Sequence, residues 1–119
     1  PTVMSNGNHS YEFYDAMVNY KQGKYKLAIE KWEEQLNLKP QNDTLNYFIG
    51  MAYMAERKEA LSIPFLSKVS KRSESTFKDE TNYYLGLVYL KEGDIELAKK
   101  YLELSSTKNS RLILSELNP

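Results

Sequence analysis

The sequence predicts an all-α fold, a solenoid of three stacked helix-turn-helix units, and three observations predict it. Apolar residues recur at the spacing of a helical face through most of the chain. Gly or Pro follows several of these segments and ends them. Small residues stand at the same point of each unit, at Ala16, Gly50 and Gly86, with spacings of 34 and 36 residues. A period of about 34 is typical of hairpins that bury their apolar faces against their neighbours.

The most regular unit is the segment 83–104, which is predicted to form two amphipathic helices. Gly93 can adopt the left-handed conformation that ends the first helix, and Asp94 can cap the second. On the first helix, one flank consists of Leu85, Tyr89 and Glu92, and another consists of Tyr83, Leu87 and Leu90. The second helix has a stripe of Ile95, Ala98, Leu102 and Ser105, widened by Leu97, Tyr101 and Leu104.

The first unit follows a polar segment at 1–9, which we interpret as a flexible arm or linker. Ser10 can cap a helix that ends at Gln22 and is stopped by Gly23. Its apolar positions are Phe13, Tyr14, Met17 and Tyr20. The partner helix is predicted over 25–38, before Pro40, with Ala28, Ile29, Trp32, Leu36 and Leu38 inward.

The second unit begins at a cap on Asn42 or Asp43. Its first helix is predicted over about 44–56, with Leu45, Phe48, Ile49, Ala52 and Tyr53 as core candidates. Its second helix covers about 59–70, where Pro64 removes a backbone hydrogen bond and is expected to kink the helix.

The last part of the chain follows a polar turn at 71–76. We expect Asp79 to cap the helix that ends near Glu92, and the next helix to reach about Ser106. A terminal helix is predicted over about 110–117, where Leu112, Ile113, Leu114 and Leu117 would cover the end of the stack.

These residues resemble the tetratricopeptide repeat. Leu85-Gly86, Tyr89, Gly93 and Ala98 fit its pattern in the third unit; Gly23, Tyr25, Ala28, Trp32 and Pro40 fit it in the first, and Ile49-Gly50 and Tyr53 in the second. The first unit has Asn19 in place of a Tyr, and the second has Arg57 in place of the turn Gly and Ser62 in place of an Ala. The resemblance implies a right-handed superhelix forming one domain at 10–119, with repeats at about 9–42, 43–78 and 79–112 and a capping helix.

The segment 77–104 also resembles the last repeat of small bacterial, Bacteroidetes-type proteins that are tethered to a membrane. That resemblance implies a periplasmic domain, whereas the chain alone leaves the cytoplasm and the periplasm open. The sequence begins at Pro1 rather than Met, so we expect a processed or shortened form of a longer protein.

Composition argues against several classes of function. Lys plus Arg and Asp plus Glu both number 16, so the net charge is zero and no basic stripe for nucleic acid is expected. There is no Cys, and the single histidine, His9, lies in the predicted arm, so no metal site or other cofactor is expected. No apolar segment is long enough to span a membrane, and no catalytic motif occurs, so no enzyme is predicted.

The resemblance implies that the first helix of each repeat lines a concave surface. The residues facing it would be Phe13, Met17, Tyr20, Tyr47, Met51, Met54, Tyr83, Leu87 and Leu90. All are apolar or aromatic, which predicts a non-catalytic protein-interaction module that binds a peptide or helix of a partner in an apolar groove. Alternatively, these side chains fold into the core of a short stack, or the domain self-associates as a dimer within a larger protein.

Some members of this family hold the acidic C-terminal tails of chaperones with Lys, Asn and Arg on the same helices. The matching places here are Phe13, Met17, Phe48, Glu80 and Tyr84. None of these side chains can hold a carboxylate as Lys or Arg does, and Glu80 would repel one. Chaperone tails are therefore predicted not to bind.

Overall fold

The computed structural model describes residues 10–119, and the predicted arm at 1–9 lies outside the described residues. All regular secondary structure in the described range is α-helical. The helices are α1 (Ser10–Lys21), α2 (Tyr25–Leu38), α3 (Asp43–Ala55), α4 (Glu59–Ser70), α5 (Lys78–Lys91), α6 (Ile95–Leu104) and α7 (Lys108–Leu117). None of these seven helices is long and apolar enough to span a membrane.

The helices stack in chain order. Each one packs mainly on the next, and α7 packs on α6 and also touches α5. The stack is elongated, with principal dimensions of 57 × 28 × 21 Å. This arrangement of hairpins on hairpins confirms the predicted all-α solenoid of three helix-turn-helix units with a terminal helix. The repeat boundaries stay a prediction.

Two hydrophobic clusters form the core. The first joins α1, α2 and α3 and consists of Ala16, Ala28, Ile29, Trp32, Leu45, Ile49 and Ala52. The second joins α3, α4 and α5 and consists of Tyr47, Leu66, Val69 and Leu85. The largest buried side chain, Trp32, also satisfies its indole N–H, which donates to the carbonyl oxygen of Phe13 at 3.2 Å.

The turns inside the hairpins use a left-handed residue. Gly23 has φ +80° and Gly93 has φ +85°, as expected for glycines that end a helix. The equivalent residue of the second hairpin is Arg57, which adopts the same region at φ 65° although it carries a side chain. The substitution that departs from the repeat pattern therefore leaves the turn unchanged and places a non-glycine residue in a disfavoured conformation.

The first hairpin departs from the other two at one inter-helix contact. Tyr89 stacks on Tyr101 with ring centroids 5.6 Å apart. In the first hairpin the equivalent pair is polar, because Lys31 Nζ donates to the Asn19 side-chain oxygen at 2.8 Å and to Asp15 at 2.6 Å. The first hairpin therefore has Asn19 in place of Tyr together with a polar residue, Lys31, at the position that contacts it across the hairpin.

Three cap predictions have different outcomes. The Asn42 and Asp94 side chains accept from the amides of Leu45 and Leu97, which confirms both as caps. Asp79 was predicted to cap α5, and this is wrong, because that helix begins at Lys78 and Phe77 occupies the cap position. The Asp79 carboxylate instead accepts from the amide and hydroxyl of Ser106, thereby joining α5 to the end of α6.

The terminal helix begins two residues earlier than predicted. The hydroxyl of Thr107 accepts from the amide of Ser110, so the cap is Thr107 and the helix begins at Lys108. The α4 helix continues without interruption past Pro64.

Some residues predicted to face inward are exposed. Leu38, Ile95 and Leu104 are terminal residues of their helices, where only part of a turn faces a neighbour. Tyr14 and Leu112 are exposed on α1 and α7, the first and last helices of the described stack. Helical periodicity assigns a face to each side chain but does not specify where the neighbouring helix ends.

Candidate functional site

The nine residues predicted to line the concave surface lie on α1, α3 and α5, three on each helix. They are Phe13, Met17 and Tyr20; Tyr47, Met51 and Met54; and Tyr83, Leu87 and Leu90. Each trio is spaced by four and then three residues, so it shares one face of its helix. We call this set the α1–α3–α5 surface. Eight of its members are half-buried, and Tyr47 is 8% exposed.

The α1 members are partly internal. Phe13, Met17 and Tyr20 pack against the first core cluster. The Phe13 ring lies 5.7 Å from Trp32 and 5.8 Å from Phe48, and the Tyr20 ring lies 5.7 Å from Trp32. These side chains therefore contribute to the packing of the first hairpin, and only part of each remains accessible.

The α3 members include one ring of an aromatic contact between α3 and the residue that precedes α5. The Tyr47 ring stacks on Phe77 with centroids 4.4 Å apart and an angle of 15° between the planes. Phe48 lies edge-on to Tyr47, with centroids 5.1 Å apart. Met51 and Met54 are half-buried and pack against the second core cluster. The middle of the surface is thus a fixed apolar floor.

The α5 members have a different environment. Tyr83, Leu87 and Leu90 are half-buried, yet they belong to neither core cluster and do not pack against one. The Tyr83 ring lies 5.2 Å from its neighbour Tyr84. Of the nine residues of the α1–α3–α5 surface, these three are the ones that are outside both core clusters and do not pack against them.

Two further residues adjoin the surface. Phe77, which sequence reasoning did not place here, precedes α5 and stacks on Tyr47. Glu80 is exposed in the first turn of α5, three residues after Phe77 and four before Tyr84, which puts all three on one flank. The spacing of Phe77 from Glu80 and Tyr84 is visible in the sequence. That spacing does not indicate its stacking partner on α3, which is 30 residues away.

The electrostatics show which groups lie near one another. Burial raises the pKa of the Tyr47 hydroxyl, and the charge of Glu80 and the hydroxyls of Tyr84 and Tyr20 raise it further. Burial is also the main cause of the raised pKa of Tyr84, with Glu80 and Tyr83 next. Hydroxyl groups from α1, α3 and α5 and one carboxylate therefore share a neighbourhood.

This surface offers groups that can bind a partner. Within residues 10–119 no three His, Cys, Asp or Glu side chains group together as metal ligands. Aromatic rings and Met or Leu side chains can contact apolar groups, and the tyrosine hydroxyls and Glu80 can accept hydrogen bonds from a donor.

A separate cleft of about 230 Å³ lies among α1, the end of α2 and the start of α3. Its lining consists of Ser10, Phe13, Tyr14, Gln35, Lys39, Asn42, Thr44 and Leu45. It shares only Phe13 with the α1–α3–α5 surface, and the Asn42 side chain there already caps α3.

Comparison with known proteins relates the third hairpin to a known repeat family. Residues 79–106 match the sequence profile of the tetratricopeptide repeat, a range that contains α6 and nearly all of α5. No curated protein matches the chain. Tetratricopeptide repeats generally mediate protein–protein interaction and are typically non-catalytic.

Proposed function

Because residues 79–106 match the profile of the tetratricopeptide repeat, whose members generally mediate protein–protein interaction, we propose that this chain is a non-catalytic module that binds a peptide or helix of a partner protein on the α1–α3–α5 surface. One observation carries the proposal. Tyr83, Leu87 and Leu90 form a half-exposed apolar stripe on α5 that takes no part in either core cluster. A half-exposed apolar stripe outside the core clusters is typical of a surface that a partner covers.

The three helices contribute differently to the proposed site. Tyr47 and its ring contacts form a rigid floor, which lowers the entropic cost of binding. Met51 and Met54 supply adaptable side chains at the middle of the surface. Leu87 and Leu90 on α5 are the positions at which an apolar side chain of the partner gains most from burial.

The test uses α5, since substitution of buried Tyr47 risks unfolding the domain. A library of random 12-residue peptides is selected against the chain, and affinities are measured by fluorescence anisotropy. We expect Leu87→Ser to weaken selected peptides about tenfold, the effect of losing one buried apolar contact. Leu61→Ser, at an exposed position of α4, is the matched control and should leave affinity unchanged. Equal affinity for the Leu87→Ser and control variants would contradict the proposal.

A second candidate function, self-association, is favoured by the outer face of α1. Tyr11, Tyr14 and Val18 are 60%, 62% and 54% exposed and recur at helical spacing, so they form an apolar stripe. A second copy of the chain could cover it. Light scattering should then show a dimer that depends on concentration and is lost in Tyr14→Asp. A chain that stays monomeric at high concentration would exclude this function.

A further inference from the structure

We propose that the α1–α3–α5 surface selects a partner segment in which an arginine stands beside apolar side chains, with the Glu80 carboxylate as its counter-ion. This inference rests on the proposed function, namely that a protein segment binds this surface, and adds the chemistry by which the segment is recognised. Three features of the structure carry it: the position of Glu80, the absence of an ion pair to it within residues 10–119, and the aromatic groups around it.

The position of Glu80 is fixed by the packing of its helix. Phe77, one turn earlier, stacks on Tyr47 of α3 at 4.4 Å. Tyr84, one turn later, lies on the same flank of α5. Glu80 therefore lies between two aromatic residues on one flank of α5, and the first of them contacts α3.

The Glu80 carboxylate is not neutralised within residues 10–119. Its side chain makes no ion pair or hydrogen bond with any residue in this range. The cation nearest in sequence, Lys78, donates to the carbonyl oxygen of Ser70 at 2.8 Å. Lys91 of the same helix pairs with Glu59 at 3.0 Å. An exposed negative charge therefore remains at the edge of an apolar surface, and a positive charge on the partner would complement it.

Neighbouring groups favour arginine over other cations. Tyr84 stands one helical turn after Glu80 on the same flank of α5. Burial is the main cause of the raised pKa of the Tyr47 and Tyr84 hydroxyls, and the charge of Glu80 is the next cause for both. A guanidinium group can donate two hydrogen bonds to one carboxylate and stack its plane on an aromatic ring. Lysine offers a point charge without the planar stacking surface. Apolar residues on one side of the arginine would then contact Leu87 and Leu90, which lie about 10 and 15 Å further along α5.

The same arrangement disfavours acidic segments. A carboxylate of the partner placed beside Glu80 would be repelled, and no described cation stands there to offset the repulsion. The prediction from the sequence that acidic chaperone tails do not bind is consistent with this inference.

The experiment compares four synthetic peptides that differ at one position. A peptide selected from the random library is made with Arg, Lys, Gln or Glu at its basic position, and each is titrated against the whole chain at low and high salt. We expect the order of affinity to be Arg, then Lys, then Gln, with Glu weakest. We expect the loss from Arg to Gln to be about tenfold to a hundredfold, the range for a hydrogen-bonded ion pair.

The variant Glu80→Gln identifies the counter-ion. It should remove most of the difference between the Arg and Gln peptides and reduce the salt dependence, with the thermal midpoint unchanged because Glu80 is exposed. Glu103→Gln, at an exposed position of α6, should preserve the difference. Selected peptides that bind through Leu87 without a basic residue, or an Arg preference that survives Glu80→Gln, would overturn this inference alone. If peptide affinity is unchanged in Leu87→Ser, or if Leu87→Ser disrupts a dimer of the chain, the proposed binding of partner segments on the α1–α3–α5 surface is overturned as well.

Discussion

Gly86 and Leu102 lie so close together that a Cβ atom on residue 86 would be 2.6 Å from Leu102 Cδ2. The same relationship holds in the second hairpin, where a Cβ on Gly50 would be 2.6 Å from Leu66 Cδ2. The absence of a side chain on the first helix thus allows a large side chain on the second to fill the space between them. The 16-residue separation of the two positions is the structural reason for their recurrence in the sequence.

Gly86→Ala should therefore destabilise the domain. We expect Gly86→Ala to lower the free energy of unfolding, measured in urea, by about 1–3 kcal/mol because of the contact with Leu102. This loss would occur although alanine in a helix is normally favoured over glycine by about 1 kcal/mol. The double variant Gly86→Ala with Leu102→Ala provides the control, because the smaller partner leaves room for the new methyl group. Its destabilisation should be less than the sum of the two single variants. A Gly86→Ala variant as stable as the wild type would contradict this packing.

Arg57→Gly is expected to stabilise the domain. Arg57 adopts φ 65°, where a non-glycine residue has an unfavourable free energy of about 1 kcal/mol. Its side chain is 80% exposed and its contact with Glu59 is 3.6 Å long, so little is lost with the guanidinium group. Arg57→Ala keeps the backbone strain and serves as the control. Thermal unfolding should show a higher midpoint for the glycine variant alone, and an unchanged or lower midpoint would refute the prediction.

Local signals account for the parts of the fold that the sequence predicted. The bounds of α2 and α4 and the caps at Asn42 and Asp94 follow from apolar spacing and from residues within one turn. A contact between distant residues accounts for the failure at Asp79. Asp79 bonds Ser106, 27 residues away, and so does not act as a cap.

At the candidate site, too, the sequence predicts which residues share a helix face but not how far their side chains are covered. The resemblance to the tetratricopeptide repeat implies three surface residues on each of α1, α3 and α5, and their common helical spacing is a local property. How far each is covered depends on rings from other helices. Tyr47 is buried because Phe77 stacks on it, whereas Leu87 has no such partner in the core clusters. No periodic pattern in one sequence distinguishes these two cases.

Ser70→Ala should reveal a buried polar link between the second and third hairpins. The Ser70 hydroxyl donates to the side-chain oxygen of fully buried Asn82 at 2.6 Å, while the Asn82 side-chain nitrogen has no hydrogen-bond partner among the described residues. Removal of the hydroxyl leaves the whole amide unpaired, so we expect a loss of about 1–3 kcal/mol in urea unfolding. Ser67→Ala, at a half-buried position of the same helix, is the control. Equal losses of unfolding free energy in Ser70→Ala and Ser67→Ala would show that the Ser70–Asn82 hydrogen bond does not add to the stability of the domain.

Tyr47→Phe should make the domain more resistant to alkali. Burial raises the pKa of Tyr47 above its ordinary value of 10.0, and the charge of Glu80 raises it further. Above pH 10 the unfolded chain therefore loses this proton before the folded chain does, and the free energy of unfolding falls as the pH rises. Phenylalanine cannot ionise, so the decline in thermal midpoint between pH 9 and 11 should be shallower in Tyr47→Phe than in Tyr11→Phe, at an exposed position. Identical slopes for these two variants would show that ionisation of Tyr47 is not coupled to unfolding.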